Sequence, residues 1–461
     1  MDLFGTAGIR GSVDDRVTTE LALDVARAVG AHAREADDRE FVVGRDGRTT
    51  GPGLAAAVEA GLVAAGARVE RIGVVPTPTL AYASRGRRGV MLTASHNPPT
   101  DNGIKLFVDG EEYGETAESE IEARVAADDA DATTWDEWGT AGRTDPLPAY
   151  REAVATYARQ FGADPAADDD PLRVVVDCGN GVASVATPQV LRELGAEVVT
   201  LNANVDGHFP GRESKPTAET LTDLRAFVAD DEAAAFGIGH DGDADRIVIC
   251  DGDGEVVHED TILAILAEAY VREREVADPV VVTTPNASGR IDERVAAAGG
   301  RVERVALGYL HDGIAAARAD GGDVAFAAEP WKHVHTAFGG WIDGVASAAV
   351  FTRLVAASGL DALREPVTER PYRKESVSCP DAAKADAMER LATTLPEAFP
   401  ETTANTEYGV RLTFPDDSWV LVRPSGTEPY VRVYAESDDV DAVIETATDT
   451  VAAAVAAAAD A

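Results

Sequence analysis

The stretch Thr93-Ala-Ser-His-Asn-Pro-Pro-Thr-Asp-Asn-Gly-Ile-Lys105 decides how this chain is read. It follows the apolar run Gly89-Val90-Met91-Leu92, which has the length and composition of a buried strand. Pro98 and Pro99 lack amide donors, and each pushes the residue before it toward extended geometry, so no helix can continue the strand. Ser95 is therefore expected on a sharp, exposed turn at the carboxyl end of a strand, where α/β proteins gather their ligands. His96 adds a proton carrier and Lys105 a cation. A serine that carries a phosphoryl group suits these neighbours best.

The second informative stretch is Asp241-Gly-Asp-Ala-Asp-Arg246, followed by the apolar Ile247-Val248-Ile249-Cys250. Carboxylates at alternate positions repel one another unless a cation sits among them, and hard oxygen donors suit magnesium. A calcium loop would need glycine next and glutamate at its last position, where this chain has Arg246 and Gly252. Gly237-x-Gly239-x-x-Gly242 matches the dinucleotide fingerprint in letters only, because it leads into a strand-like run instead of opening a helix. An acidic solvated turn is the plainer alternative, and the apolar frame on both sides favours metal. The third stretch, Arg423-Pro-Ser-Gly-Thr-Glu-Pro429 with Arg432 beyond, combines hydroxyls, a close backbone approach and two bidentate cations, as phosphate recognition requires.

Together these stretches resemble the α-D-phosphohexomutase superfamily of phosphoglucomutase, phosphomannomutase and phosphoglucosamine mutase. The resemblance covers nearly the whole chain in the family's order: FGTAGIRG from Phe4 to Gly11, GRDGRTTG from Gly44 to Gly51, then TASHNP, NGIK, DGDADR and RPSGTEP. It implies three α/β domains with mixed sheets and a C-terminal α+β domain around a central cleft. It also implies that Ser95 is a phosphoserine, that Mg2+ is held by Ser95, Asp241, Asp243 and Asp245, and that a hexose 1,6-bisphosphate is both intermediate and activator. Arg10, Lys105 and His333 would be catalytic, with His96 and Arg246 near the transferred phosphate. Arg423, Ser425, Gly426, Thr427 and Arg432 would hold the phosphate that does not react.

Two loops depart from the family pattern. Where Glu-x-Ser-Gly-His is usual, this chain has Glu329-Pro-Trp-Lys-His333. Where Val-Gly-Asp and a basic residue are expected, it has Leu307-Gly308-Tyr309-Leu310. Both belong to sugar recognition in the family, so Glu329 and Lys332 are substrate-binding candidates, Trp331 is a packing residue or a sugar platform, and the hexose stays open. Ala7 stands where many relatives carry Asp or Ser. Glucosamine phosphate is favoured by the short opening and the RPSGTEP ending, with glucose and mannose phosphates as alternatives. A phosphatase would leave the phosphate clamp without purpose. A sugar-phosphate-binding regulator without turnover would not need the serine and aspartates.

The formal charge is −40 over 461 residues, with five lysines among 41 cationic residues. Such a surface repels nucleic acid and anionic membranes and suits a salty cytosol. Cys178, Cys250 and Cys379 are isolated, which disfavours a disulfide framework or a zinc site. No basic leader or run of about 18 apolar residues is visible, so a cytoplasmic protein is expected; the resemblance implies a small phosphosugar substrate, and a monomer or homodimer is expected. Strand-like and alanine-rich helical runs alternate through three blocks, followed by a block of close-set strands and a helix. The expected domains are 1–145, 146–255, 256–366 and 367–461. The polar segment Pro366 to Pro380 is expected to be a hinge, and the runs 126–132 and 163–170 to be exposed loops.

Overall fold

The computed structural model describes residues 3–5, 8–127, 132–166, 171–273, 276–425 and 428–459. Two compact units emerge: residues 1–259 with 331–363, and residues 260–330 with 364–461.

The first unit holds two sheets. In one, strands Arg88–Leu92, Glu40–Arg45, Arg68–Val74 and Thr140–Arg143 run parallel, as expected where alanine-rich helices such as Thr19–Glu35 and Gly51–Ala64 form the crossovers. Asp101–Val108 then pairs antiparallel to Arg88–Leu92, and Ile9–Ser12 pairs antiparallel to Asp101–Val108. That reversal puts the 93–100 loop where the chain turns back on itself. In the second sheet Arg173–Asp177 lies between parallel neighbours Glu197–Leu201 and Ala234–His240, and Ile247–Cys250 pairs antiparallel to the latter. The chain returns to this unit through helix Gly344–Ser358, which packs against Leu147–Ala158 and Thr187–Glu193. Asp343 caps that helix through the Ala346 N–H.

The glycines Gly237 and Gly239 are strand residues beneath a helix. A Cβ on the first would meet Cys250 Sγ at 2.5 Å, and one on the second would meet Leu221 at 2.7 Å. Their smallness serves packing and not a dinucleotide.

In the second unit, Pro279–Thr283 lies between parallel Arg301–Arg304 and Asp323–Glu329. The C-terminal sheet is antiparallel in the order Tyr372–Ser378, Tyr430–Glu436, Trp419–Pro424, Val410–Thr413, Thr403–Asn405, covered by helices Asp381–Ala398 and Val440–Ala459. The hinge expectation for 366–380 needs correction: Tyr372–Ser378 is a strand, in register with Tyr430–Glu436 along its length. It also differs at 126–127, which close the helix Glu115–Ala127. Most of 128–132 and 167–170 lies outside the described residues, as do Ala7, Gly426 and Thr427.

Candidate active site

Ser95 sits three residues past the strand Arg88–Leu92 with φ 49°, a left-handed conformation uncommon for a residue with a side chain. It is fully buried, a departure from the exposed turn expected. The reason is the aspartate loop: Ser95 Oγ donates to Asp241 Oδ2 at 2.5 Å. The loops approach so closely that a Cβ on Gly242 would lie 2.6 Å from the Ser95 carbonyl oxygen.

The unusual backbone is held from below. Thr93 Oγ1 accepts the Ser95 N–H at 2.8 Å and donates to Asp46 Oδ2 at 2.8 Å. Arg48, wholly buried, pairs with Asp46 at 3.0 Å and donates to the carbonyls of Ser95, Asn97, Pro98 and Asp101. Burial raises the Asp46 carboxyl to about 6 against the opposing pull of Arg48. Asp46 and Arg48 carry no role in the sequence reading, although GRDGRTTG was noted. The signal was a charged pair inside a glycine-rich loop at the same sheet edge as Ser95.

Asp241, Asp243 and Asp245 lie in the hairpin loop between Ala234–His240 and Ile247–Cys250, with carboxylate oxygens within 4.8 Å of one another. All three are buried. Thr77 grips the middle one twice: its Oγ1 donates to Asp243 Oδ2 at 2.6 Å and its N–H to the Asp243 carbonyl at 3.0 Å. Burial, then the charges of Asp245 and Asp243, push the Asp241 carboxyl well above its ordinary range. Burial pushes Asp245 up as well, but Lys105, Arg246, Lys332 and Arg10 together hold it below its ordinary value. Among the described residues, Asp243 Oδ1 and Asp245 Oδ1 are buried without a hydrogen-bond partner. Three buried hard oxygen donors with unspent lone pairs fit a divalent cation such as magnesium.

Cations surround the trio. Lys105 Nζ is 2.9 Å from Glu112 and 3.5 Å from Asp245. Arg246 Nε lies 3.6 Å from Asp245 and 3.8 Å from Asp241. Arg10 enters from the antiparallel strand Ile9–Ser12, opposite Gly103. Arg10 Nε and Arg246 Nε are buried and donate to no acceptor among the described residues. Donors in want of an anion thus stand beside acceptors in want of a cation. His96 Nδ1 lies 3.3 Å from Ser95 Oγ, and burial followed by Arg246 and Arg10 lowers it to about 2, so the ring is neutral. His240 is structural: it contacts Thr187 Oγ1 at 3.0 Å and the Arg246 carbonyl at 2.9 Å, which fastens the base of the loop.

The remaining candidates fall in different places. His333 is buried, with Nδ1 3.0 Å from Ser347 Oγ, and burial followed by His335 lowers it to about 3. The ring is therefore neutral and enclosed. Trp331, at φ 68°, packs on the cluster of Val175, Leu221, Leu224 and Val248, as a packing residue would. Lys332 forms an antiparallel bridge with Arg246. In the other unit, Glu329 Oε1 accepts the Gly308 N–H at 2.6 Å, which ties together the two loops that depart from the family pattern.

The phosphate-clamp candidates Arg423 and Arg432 are direct cross-strand partners. Like charges in that position repel; Arg432 Nη2 pairs with Glu428 at 2.9 Å, and among the described residues the Nε atoms of both arginines are buried without acceptors. Ser425 is buried beside them, its N–H bonded to the Tyr430 carbonyl. Lys384, unremarked in the sequence, donates to the carbonyls of Ser425 at 2.6 Å and Glu428 at 2.7 Å.

Four domain families match the chain in order. Phosphoglucomutase/phosphomannomutase alpha/beta/alpha domain I matches residues 1–132, domain II 148–254, domain III 258–371, and the C-terminal domain 376–453. A phosphopentomutase of Thermococcus kodakarensis is 40% identical over 445 residues, covering 95% of this chain and 94% of that one. A probable phosphoglucosamine mutase of Methanopyrus kandleri is 41% identical over 446 residues, covering 94% of each. Among solved structures, a phosphoglucomutase/phosphomannomutase family protein of Burkholderia thailandensis superposes with a TM-score of 0.84 at 26% identity, covering 99% of this chain and 97% of that one.

Proposed function

The chain belongs to the phosphoglucomutase/phosphomannomutase family of phosphosugar mutases, and from that membership we propose that it works through a phosphoserine at Ser95. The observation that carries this reading is the buried Ser95 Oγ, aimed at Asp241 beside carboxylate oxygens and guanidinium nitrogens that make no hydrogen bond among the described residues. A sugar hydroxyl attacks the phosphorus, the bond from phosphorus to Ser95 Oγ breaks, and the hydroxyl proton ends on Ser95. The resulting sugar bisphosphate turns over, and its other phosphate returns to the serine by the reverse step. Arg10, Lys105 and Arg246 bear the charge of the group in flight, and neutral His96 orients near it. Asp241, Asp243 and Asp245 would hold a magnesium ion, which would supply further neutralisation of that group. Arg423, Ser425 and Arg432, with Gly426 and Thr427, bind the phosphate that does not react.

The substrate is an aldose phosphate, with glucosamine phosphate first among the hexoses and the matching 1,6-bisphosphate as activator. A pentose phosphate is the second reading, favoured by the name of the Thermococcus relative and by the altered Glu329 to His333 loop. Among the described residues no helix is long and apolar enough to cross a membrane. The charge of −40 suits a salty cytoplasm.

The test is direct. Phosphopeptide mapping should find phosphate on Ser95, and Ser95→Ala should abolish turnover of glucosamine, glucose, mannose and ribose 1-phosphates, each assayed with a trace of its bisphosphate. Wild-type turnover by Ser95→Ala would end the proposal.

A further inference from the structure

We propose that Lys332 is a catalytic cation for the phosphoryl group on Ser95, and not a reader of the sugar. The inference rests on the phosphoserine reading above and assigns that centre a cation from a loop otherwise given to sugar recognition.

Lys332 and Arg246 are partners in an antiparallel bridge, and directly opposed residues project from the same face of a sheet. Arg246 uses that face to reach Asp241 and Asp245. The neighbours of Lys332 fix its direction. Trp331 is packed into the cluster around Leu221, and its carbonyl accepts the Ile247 N–H at 3.4 Å. His333, the next residue of the strand Lys332–Val334, is buried against Ser347. Side chains alternate along a strand, so Lys332 points away from that buried pocket.

Composition adds an independent argument. This chain has five lysines among 41 cationic residues. Two of them lie at this centre: Lys105, 3.5 Å from Asp245, and Lys332, directly opposed to Arg246. Where arginine is the default cation, lysines gathered at one place answer a need for compact, movable point charges, which a phosphoryl group passing between oxygens presents.

Lys332→Met, Lys332→Gln and Lys332→Arg test the assignment. The neutral variants should lose on the order of 10²-fold in kcat, the scale for one preorganised donor at a developing charge. The loss should be the same for glucosamine, glucose, mannose and ribose phosphates, and Lys332→Arg should recover part of it. Mn2+ affinity of dephosphorylated protein, read by electron paramagnetic resonance, should tighten several-fold in the neutral variants, because a like charge beside the aspartates is gone. A changed order of sugar preference, or Mn2+ affinity equal to wild type, would overturn the assignment. Failure of the phosphoserine reading is seen separately, as absence of phosphate on Ser95 in the wild-type protein, and leaves the Mn2+ comparison intact. If Lys332→Met does not fold, Lys332→Gln carries both measurements.

Discussion

Arg48 donates from Nη2 to the carbonyl oxygen of Ser95 at 2.9 Å, so a fully buried guanidinium fixes the backbone of the residue proposed to carry phosphate. The same guanidinium spans the carbonyls of Asn97, Pro98 and Asp101. Only a planar fork with several donors can satisfy that many acceptors at once. The left-handed backbone at Ser95 therefore persists because its surroundings over-determine it.

Arg48→Met should cost about 3–5 kcal/mol, the scale for leaving a buried charge without its partner, here Asp46. Arg48→Lys keeps the charge but strands carbonyls, and should cost about 1–3 kcal/mol. Chemical denaturation in high salt measures both. Phosphate content at Ser95 should fall in each variant even where the fold survives. Stability equal to wild type in Arg48→Met would show that the loop holds itself.

Much of this was legible in the sequence, and what was missed has a common cause. The strands Arg173–Asp177 and Glu197–Leu201 are legible as part of the alternation of strand-like and helical runs, because β-branched apolar runs between turn formers admit little else. Asp241, Asp243 and Asp245 were legible because their chemistry lies within one short loop. Thr77 was not, since its partner Asp243 is 166 residues away. Tyr372–Ser378 read as a hinge because it is an edge strand, mostly exposed and rich in charge, as edge strands are when they discourage further pairing. His333 was legible as a family position but not as a buried ring, because burial depends on Ser347 and His335 around it.

Acid should weaken the protein partly through His335. Its Nε2 lies 2.8 Å from Ser347 Oγ, and burial lowers the ring to about 3. The unfolded chain takes up that proton near pH 6.5, so between about pH 3 and 6.5 it holds more protons than the folded one. The stability this group contributes is present above about pH 6.5 and is lost as pH falls toward 3. His335→Gln removes one such group. Wild-type stability should fall more steeply than that of the variant between pH 6.5 and 4.5, by up to about 1.4 kcal/mol per pH unit. Parallel curves would mean that His335 titrates as a solvated ring.

Lys384 should govern substrate affinity. Its ammonium joins both ends of the phosphate loop, at the Ser425 and Glu428 carbonyls. Lys384→Met releases them, and the loss of charge-assisted bonds worth about 1.5–3 kcal/mol predicts a KM raised roughly 10- to 150-fold. The phosphate on Ser95 should be unchanged, since that residue belongs to the other compact unit. A lower kcat at unaltered KM would remove Lys384 from this role.

Thr77 gives the most discriminating test of the metal site. It donates to one oxygen of Asp243 and leaves the other, Oδ1, buried with no hydrogen-bond partner among the described residues. A hydroxyl in that position restrains the rotation of a carboxylate that offers an oxygen within 4.8 Å of oxygens from Asp241 and Asp245. Thr77→Val keeps the shape and deletes the donor, and outer partners of this kind change metal affinity by about 10- to 100-fold. Mg2+ should therefore bind Thr77→Val that much more weakly by calorimetry, and activity should return at high Mg2+. Asp243→Asn, which removes a ligand charge, should not be rescued at any Mg2+ concentration. If Thr77→Val binds Mg2+ as wild type does while Asp243→Asn does not, the hydroxyl only fills space. If both bind as wild type does, the aspartate trio is not the metal site.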